Sequence, residues 1–173
     1  MSASETEPID IDEDVSEKLK QAHNRNPLVY LAGPIEFADD DGKTWRNETI
    51  DLFSDVDYVN PHDIFSREEI QKVYKPTLEG EIPEGDYDEF ILDEEVTTQE
   101  KQEILRCDAV FVGFQDIKSR GTCMEMMFCY LNRIPIYIWN MDKQDDIPLW
   151  VTSHAQYISD SREKVIEQIK GDF

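Results

Sequence analysis

Leu28-Val29-Tyr30-Leu31-Ala32-Gly33-Pro34 is the first apolar run of the chain, and its reading decides the fold. Five apolar residues in succession, without polar alternation, suit a parallel strand buried on both faces. Gly33-Pro34 ends the run and offers a tight turn where backbone can approach a ligand closely. Two runs of the same kind lie further on, Ala109-Val110-Phe111-Val112-Gly113 and Pro135-Ile136-Tyr137-Ile138-Trp139. A weaker strand, Tyr58-Val59-Asn60, stops at Pro61, and Ala155–Ile158 supplies a last short one. Helices are predicted between them. Residues 43–54 place Trp45, Thr49, Leu52 and Phe53 near one face, and further helices run over 93–106, 123–132 and 161–170. This alternation predicts an α/β fold, a doubly wound parallel five-stranded sheet with helices on both faces. If the strand order is 2-1-3-4-5, the loops Gly33–Gly42 and Gln115–Gly121 share the crevice where such sheets bind ligands.

Outward from these strands, 173 residues suit a single domain with one sizeable core. Residues 1–26 are polar and acidic and read as a flexible arm ahead of a domain spanning 27–173. Residues 62–92 are too long for a plain connection and read as a lid or an interface insertion. No apolar run approaches the ~18–20 residues of a membrane span. The opening MSASETEPIDIDED lacks the basic-then-apolar order of a signal peptide. Three cysteines, Cys107, Cys123 and Cys129, without C-x-x-C spacing, fit a reduced cytoplasmic chain without structural zinc.

The formal net charge of -22 repels nucleic acid polymers and anionic membranes, which argues against both as partners. Only seven of the 39 acidic residues lie in 1–26, so the charge covers the domain. That distribution favours a solvated, halophilic surface, screened by salt, over a docking site for a basic partner.

Glu125 is the only charged residue in Thr122–Asn132, TCMEMMFCYLN, a helix apolar nearly all round and therefore expected to be buried on most sides. A carboxylate there costs several kcal/mol, roughly, unless it is paired, hydrogen-bonded or functional. Two readings stand side by side. Thr122-x-x-Glu125 matches a capping box, in which the glutamate only bonds back to the helix start. Alternatively, the nearby helix N-terminus favours an ionised nucleophile. A second carboxylate comes from helix 93–106, where Val96, Glu100, Glu103 and Cys107 fall within about 60° on the helical wheel. Either Glu100 or Glu103 fits, and either equally fits a solvent-facing acid. Retaining glycosyl transfer uses two such carboxyls roughly 5 Å apart.

Ser119, Arg120, Gly121 and Thr122 at a helix start suit an anion such as phosphate, or an ordinary cap. Phe37 and Trp45 are candidates for stacking on a base, and Trp45 equally for the core. His23, His62 and His154 have no ligand spacing, so no metal is assigned, and neither a G-x-S-x-G elbow nor a P-loop is present.

Taken in order, Tyr30-Leu31-Ala32-Gly33-Pro34-Ile35, then Glu100 ahead of Cys107-Asp108-Ala109-Val110, then Gly121-Thr122-x-x-Glu125, resemble the nucleoside 2-deoxyribosyltransferase family. The resemblance spans about 28–140, excluding much of 62–92. It implies a flavodoxin-like fold with order 2-1-3-4-5, no cofactor, and a substrate-binding loop at Gly33-Pro34-Ile35. It also implies double displacement at a 2′-deoxynucleoside: Glu125 attacks the anomeric carbon and expels the base, and another nucleobase collects the deoxyribose. Glu100 falls where the family usually has an aspartate for proton transfer. Ser119 falls where many transferases carry a base-contacting aspartate. In that respect the chain looks like the related 2′-deoxynucleoside 5′-monophosphate N-hydrolases, whose serine helps to bind phosphate, and Arg120 suits that role too. The implied partners are a small-molecule nucleoside or nucleotide, a nucleobase, and further copies of the chain in a homo-oligomer. Transfer between bases is the first reading, nucleotide hydrolysis the second, and a non-catalytic nucleotide-binding module the third.

Overall fold

The computed structural model describes residues 25–35, 38, 40–64, 87–115, 119–145 and 147–173, with the side chains of 87–95 excepted. Strand β1 (Leu28–Ala32) leads to helix α1 (Lys43–Leu52), strand β2 (Asp57–Val59), the single turn α2 (Pro61–Ile64) and the long helix α3 (Tyr87–Arg106). Strand β3 (Ala109–Phe114), helix α4 (Arg120–Leu131), strand β4 (Ile136–Asn140), the single turn α5 (Leu149–Thr152), strand β5 (Tyr157–Ser159) and helix α6 (Arg162–Asp172) complete the chain.

All five strands are parallel, in the order β2-β1-β3-β4-β5, which is the flavodoxin-like arrangement expected. β1 and β3 run side by side from Val29↔Ala109 to Ala32↔Val112, so Gly33 and Gln115 lie in loops at one edge of the sheet. β1 lies between β2 and β3, and helices cover both of its faces, Tyr30 and Ala32 on one and Val29 and Leu31 on the other, which explains why its sequence shows no polar alternation.

The strand period of two divides the core between the two faces. Tyr30, Ala32, Val110, Val112, Ile136 and Ile138 pack against Ile104 of α3 and Met126 and Cys129 of α4. Val29, Leu31, Phe111 and Tyr137 face the other way, onto Trp45 of α1 and Val165, Ile166 and Ile169 of α6.

Element boundaries depart from the sequence reading where caps decide them. Ser119 caps α4 by accepting from the Thr122 backbone N–H at 3.2 Å, which starts the helix three residues before Cys123. Ser161 does the same for α6 at Lys164. α3 begins at Tyr87 rather than 93, and β5 sits two residues later than the apolar pattern suggested. The turns α2 and α5 leave no signal in the sequence, because four residues cannot display a helical period. Of the expected lid or interface insertion, 65–86 lie outside the described residues. No helix among the described residues is long and apolar enough to cross a membrane.

One wedge fixes the sheet edge where the loops meet. Trp45 stacks obliquely on Phe111 at 6.1 Å and meets Trp139 edge-on at 6.5 Å between ring centroids. Its six-membered ring lies so close to the strands that a Cβ on Gly33 would stand 2.8 Å from Trp45 Cζ2. A Cβ on Gly113 would stand 2.9–3.0 Å from three atoms of the same ring. Both glycines are therefore required by close approach. Gly113→Ala is expected to destabilise the fold by about 1–3 kcal/mol through overpacking, measured by denaturant unfolding against wild type. Gly121→Ala, where the nearest atom to a new Cβ is 4.0 Å away, should stay close to wild type.

Candidate active site

The site begins with the phenol of Tyr30, a residue of a fully buried strand that must find a partner for its hydroxyl. The partner is a carboxylate. Tyr30 Oη donates to Glu125 Oε1 at 3.1 Å, across the interface between β1 and α4. Met126 and Cys129 of α4 are buried on this sheet face and bring Glu125 over Tyr30.

This placement removes the capping-box reading of Glu125. Ser119 is the N-cap, so a box would need its glutamate at position 122, which is a threonine. The hydroxyls of Ser119 and Thr122 bond each other at 2.8 Å, and Glu125 lies most of a turn further on. The expectation that α4 is buried on most sides also needs correction. Met124 and Leu131 are 73% and 71% exposed, because the helix covers the sheet in a single layer and keeps one side outward.

Burial raises the carboxyl of Glu125 above its ordinary pKa, while the Tyr30 hydrogen bond and the charge of Arg46 pull it back down. Glu100 of α3 is pushed up to about 7, first by burial and then by the negative charge of Glu125. Tyr30 is held far above the usual phenol range by burial and by both glutamates. Tyr30, Glu100 and Glu125 thus form one electrostatic group. Glu103, the other candidate from the same helix, is bound through both carboxyl oxygens to Arg106 at 2.8 Å on the outer side of α3. The helical wheel could not separate the two glutamates; the influence of the Glu125 charge on Glu100 does.

Arg46 is the residue that sequence reasoning missed. It is fully buried on α1, yet it reaches the loop after β1. Its Nε donates to the Leu31 carbonyl at 3.2 Å, Nη2 to Gly33 at 2.9 Å, and Nη1 to Gly42 at 2.7 Å and Pro34 at 3.5 Å. Burial lowers its pKa to about 10, opposed by the negative charge of Glu125 and by Tyr30. An arginine beside a buried tryptophan was the available signal, and a helical wheel alone does not show that it points inward.

The other expected residues divide. Gly33 and Pro34 are buried and Ile35 is half-buried at the end of β1, on the guanidinium of Arg46. Ser119, Gly121 and Thr122 form the first turn of α4 with Arg120, which is exposed. Trp45 does not join them as a base-stacking residue. At 5% exposure it belongs to the core on the opposite sheet face from Tyr30, because the glycine pair admits its ring beneath the strands. Phe37 lies outside the described residues. Among the described residues no group of three or more His, Cys, Asp or Glu side chains could hold a metal ion.

Solved structures that share this fold include the following two. One is a 2-deoxyribosyltransferase from the psychrotolerant bacterium Bacillus psychrosaccharolyticus, similar with a TM-score of 0.58 at 18% identity over 80% of this chain and 89% of that one. The other is a conserved protein from Enterococcus faecalis V583, with a TM-score of 0.58 at 14% identity over 86% of this chain and 99% of that one. No protein-family model and no curated protein matches the sequence.

The raised pKa of Glu100 has a sign that can be tested. A carboxyl whose folded pKa lies near 7, above its ordinary 4.5, binds its proton more tightly when folded. Its stabilising contribution is complete below about 4.5 and is lost as pH rises through about 7. Wild-type stability should therefore fall across this window relative to Glu100→Gln, by up to about 3 kcal/mol. Urea unfolding of both proteins between pH 5 and about 8 measures the difference.

Proposed function

We propose that this chain is an enzyme of the nucleoside 2-deoxyribosyltransferase type, which moves deoxyribose from one nucleobase to another through an ester on Glu125. The observation that carries the reading is a carboxyl held by the Tyr30 hydroxyl and electrostatically coupled to a second carboxyl, Glu100, whose pKa is raised to about 7. The fold shared with a 2-deoxyribosyltransferase supports it.

The two carboxyls divide the work. The Glu125 carboxylate attacks C1′ of the 2′-deoxynucleoside, and the N-glycosidic bond breaks with its electron pair going to the base nitrogen. Glu100, with a pKa near 7, supplies the proton that the leaving base takes up. In the second half, a nitrogen of the incoming base attacks C1′ from the opposite side and releases the Glu125 carboxylate. The proton of that nitrogen returns to Glu100. Two inversions give net retention at the anomeric carbon. Gly33, Pro34 and Ile35 offer backbone at the crevice where the substrate lies, and assembly into a homo-oligomer in the cytoplasm belongs to the same reading.

Hydrolysis of a 2′-deoxynucleoside 5′-monophosphate is the second reading. It is favoured by the exposed Arg120 at the start of α4, where the helix dipole and first-turn N–H groups attract an anion. The Ser119 hydroxyl is already committed to Thr122, which weighs towards transfer.

Incubation with deoxynucleosides and their monophosphates, with and without an acceptor base, separates the readings by chromatography. New nucleoside supports transfer. Free base with deoxyribose phosphate supports hydrolysis, and unchanged substrate leaves a nucleotide-binding module. Glu125→Gln is expected to fold and to lose about three orders of magnitude in rate, about 4 kcal/mol of barrier. Activity within about tenfold of wild type would remove Glu125 as nucleophile. A monophosphate site should bind its ligand at least about tenfold tighter than the nucleoside, a preference that Arg120→Ala abolishes.

A further inference from the structure

A guanidinium removed from water needs hydrogen-bond partners for its N–H groups and something to offset its charge. In Arg46 these two needs are met by different parts of the protein. All four of its described hydrogen bonds end on backbone carbonyl oxygens: Leu31, Gly33, Pro34 and Gly42. Carbonyls satisfy the direction of the N–H groups but carry no net charge. The nearby Asp40 carboxylate is turned to the backbone N–H groups of Gly42 and Thr44 instead, at 2.9 and 2.7 Å. None of these bonds is an ion pair; Glu125, hydrogen-bonded to Tyr30 next to the Leu31 carbonyl that Arg46 holds, is the strongest negative charge acting on Arg46, ahead of Tyr30 and Asp40.

We propose that Arg46 is the positioning residue of this site: its fork clamps the ends of the Gly33–Gly42 loop, and its charge faces the Glu125 carboxylate across β1. The inference rests on the reading of Glu125 as nucleophile and explains how a half-buried carboxyl is kept in its reactive, ionised form. Burial opposes ionisation. Tyr30 and Arg46 favour it, and Glu100 and Cys129 are the other titratable groups that sense the Glu125 charge. Tyr30 supplies one neutral hydrogen bond, so Arg46 is the cation in the balance. The planar fork is essential to the clamp, because a lysine ammonium cannot reach carbonyls spread over both ends of the loop. Charge and clamp can therefore be separated by substitution.

The test is a carbon-13 NMR titration of the Glu125 carboxyl, assigned by its loss in Glu125→Gln, in wild type, Arg46→Lys and Arg46→Met. Arg46→Gln serves as the neutral variant if Arg46→Met does not fold. In the neutral variant Glu125 should bind its proton at least about tenfold more tightly than in wild type, the size expected for loss of a nearby opposite charge. In Arg46→Lys it should stay within about threefold of wild type. In an active enzyme the acid limb of the kcat–pH profile should move with the titration. Arg46→Lys should instead raise KM, because the loop loses its clamp. An unchanged Glu125 titration in the neutral variant overturns the proposal, and so does an equal shift in Arg46→Lys. The titration needs no turnover. A wild type that cleaves no deoxynucleoside while its Glu125 titration follows Arg46 would end the functional reading and leave this inference standing.

Discussion

Strand β1 lies between a buried guanidinium, Arg46, and a half-buried carboxyl, Glu125, neither of which is stable there without partners. On one sheet face the phenol of Tyr30 meets the Glu125 carboxyl, and at the strand's carboxyl end Leu31 and Gly33 offer their carbonyls to Arg46. Taking either ion out of water is costly, and the attraction between them lowers that cost only while β1 holds both at fixed places. The requirement reaches into the packing. Arg46 is held at the end of β1 because its neighbour Trp45 is wedged beneath Gly33 and Gly113, and the guanidinium lies 4.4 Å from that indole ring centroid. A larger residue at either glycine would lift α1, and with it the cation.

The two glutamates acquire different properties from this frame although both are half-buried acids. Glu125 has a phenol and a guanidinium acting to keep it ionised. Glu100 has no such cation of comparable effect; burial and the charge of Glu125 both favour its neutral form, and Lys101 only tempers them. Pairs of titratable groups whose surroundings separate their proton affinities are the usual basis for dividing nucleophile from acid. On the proposed reading the division follows from what each carboxyl meets: Glu125 of α4 accepts the Tyr30 hydroxyl, whereas Glu100 of α3 senses the Glu125 charge.

The sequence determined the sheet. Unbroken apolar runs at 28–32, 109–113 and 135–139 can only be buried on both faces, and alternation with helical segments leaves a parallel, doubly wound arrangement. It also singled out Glu125, because a lone carboxylate in an apolar helix is visible without coordinates. Helix ends were less legible. A cap is a single hydrogen bond such as Ser119 to Thr122, and several residues nearby could have made it.

Tertiary structure alone decided the site's membership. Glu100 and Glu103 lie on one stripe of α3, and only tertiary packing puts the first under the charge of Glu125 while the second bonds Arg106. Trp45 and Arg46 are adjacent on α1, yet one fills the core and the other bonds the loop after β1. Periodicity reports which residues avoid water. It carries no information about which buried polar atoms face one another, because those pairings form between segments distant in the chain, such as Tyr30 and Glu125.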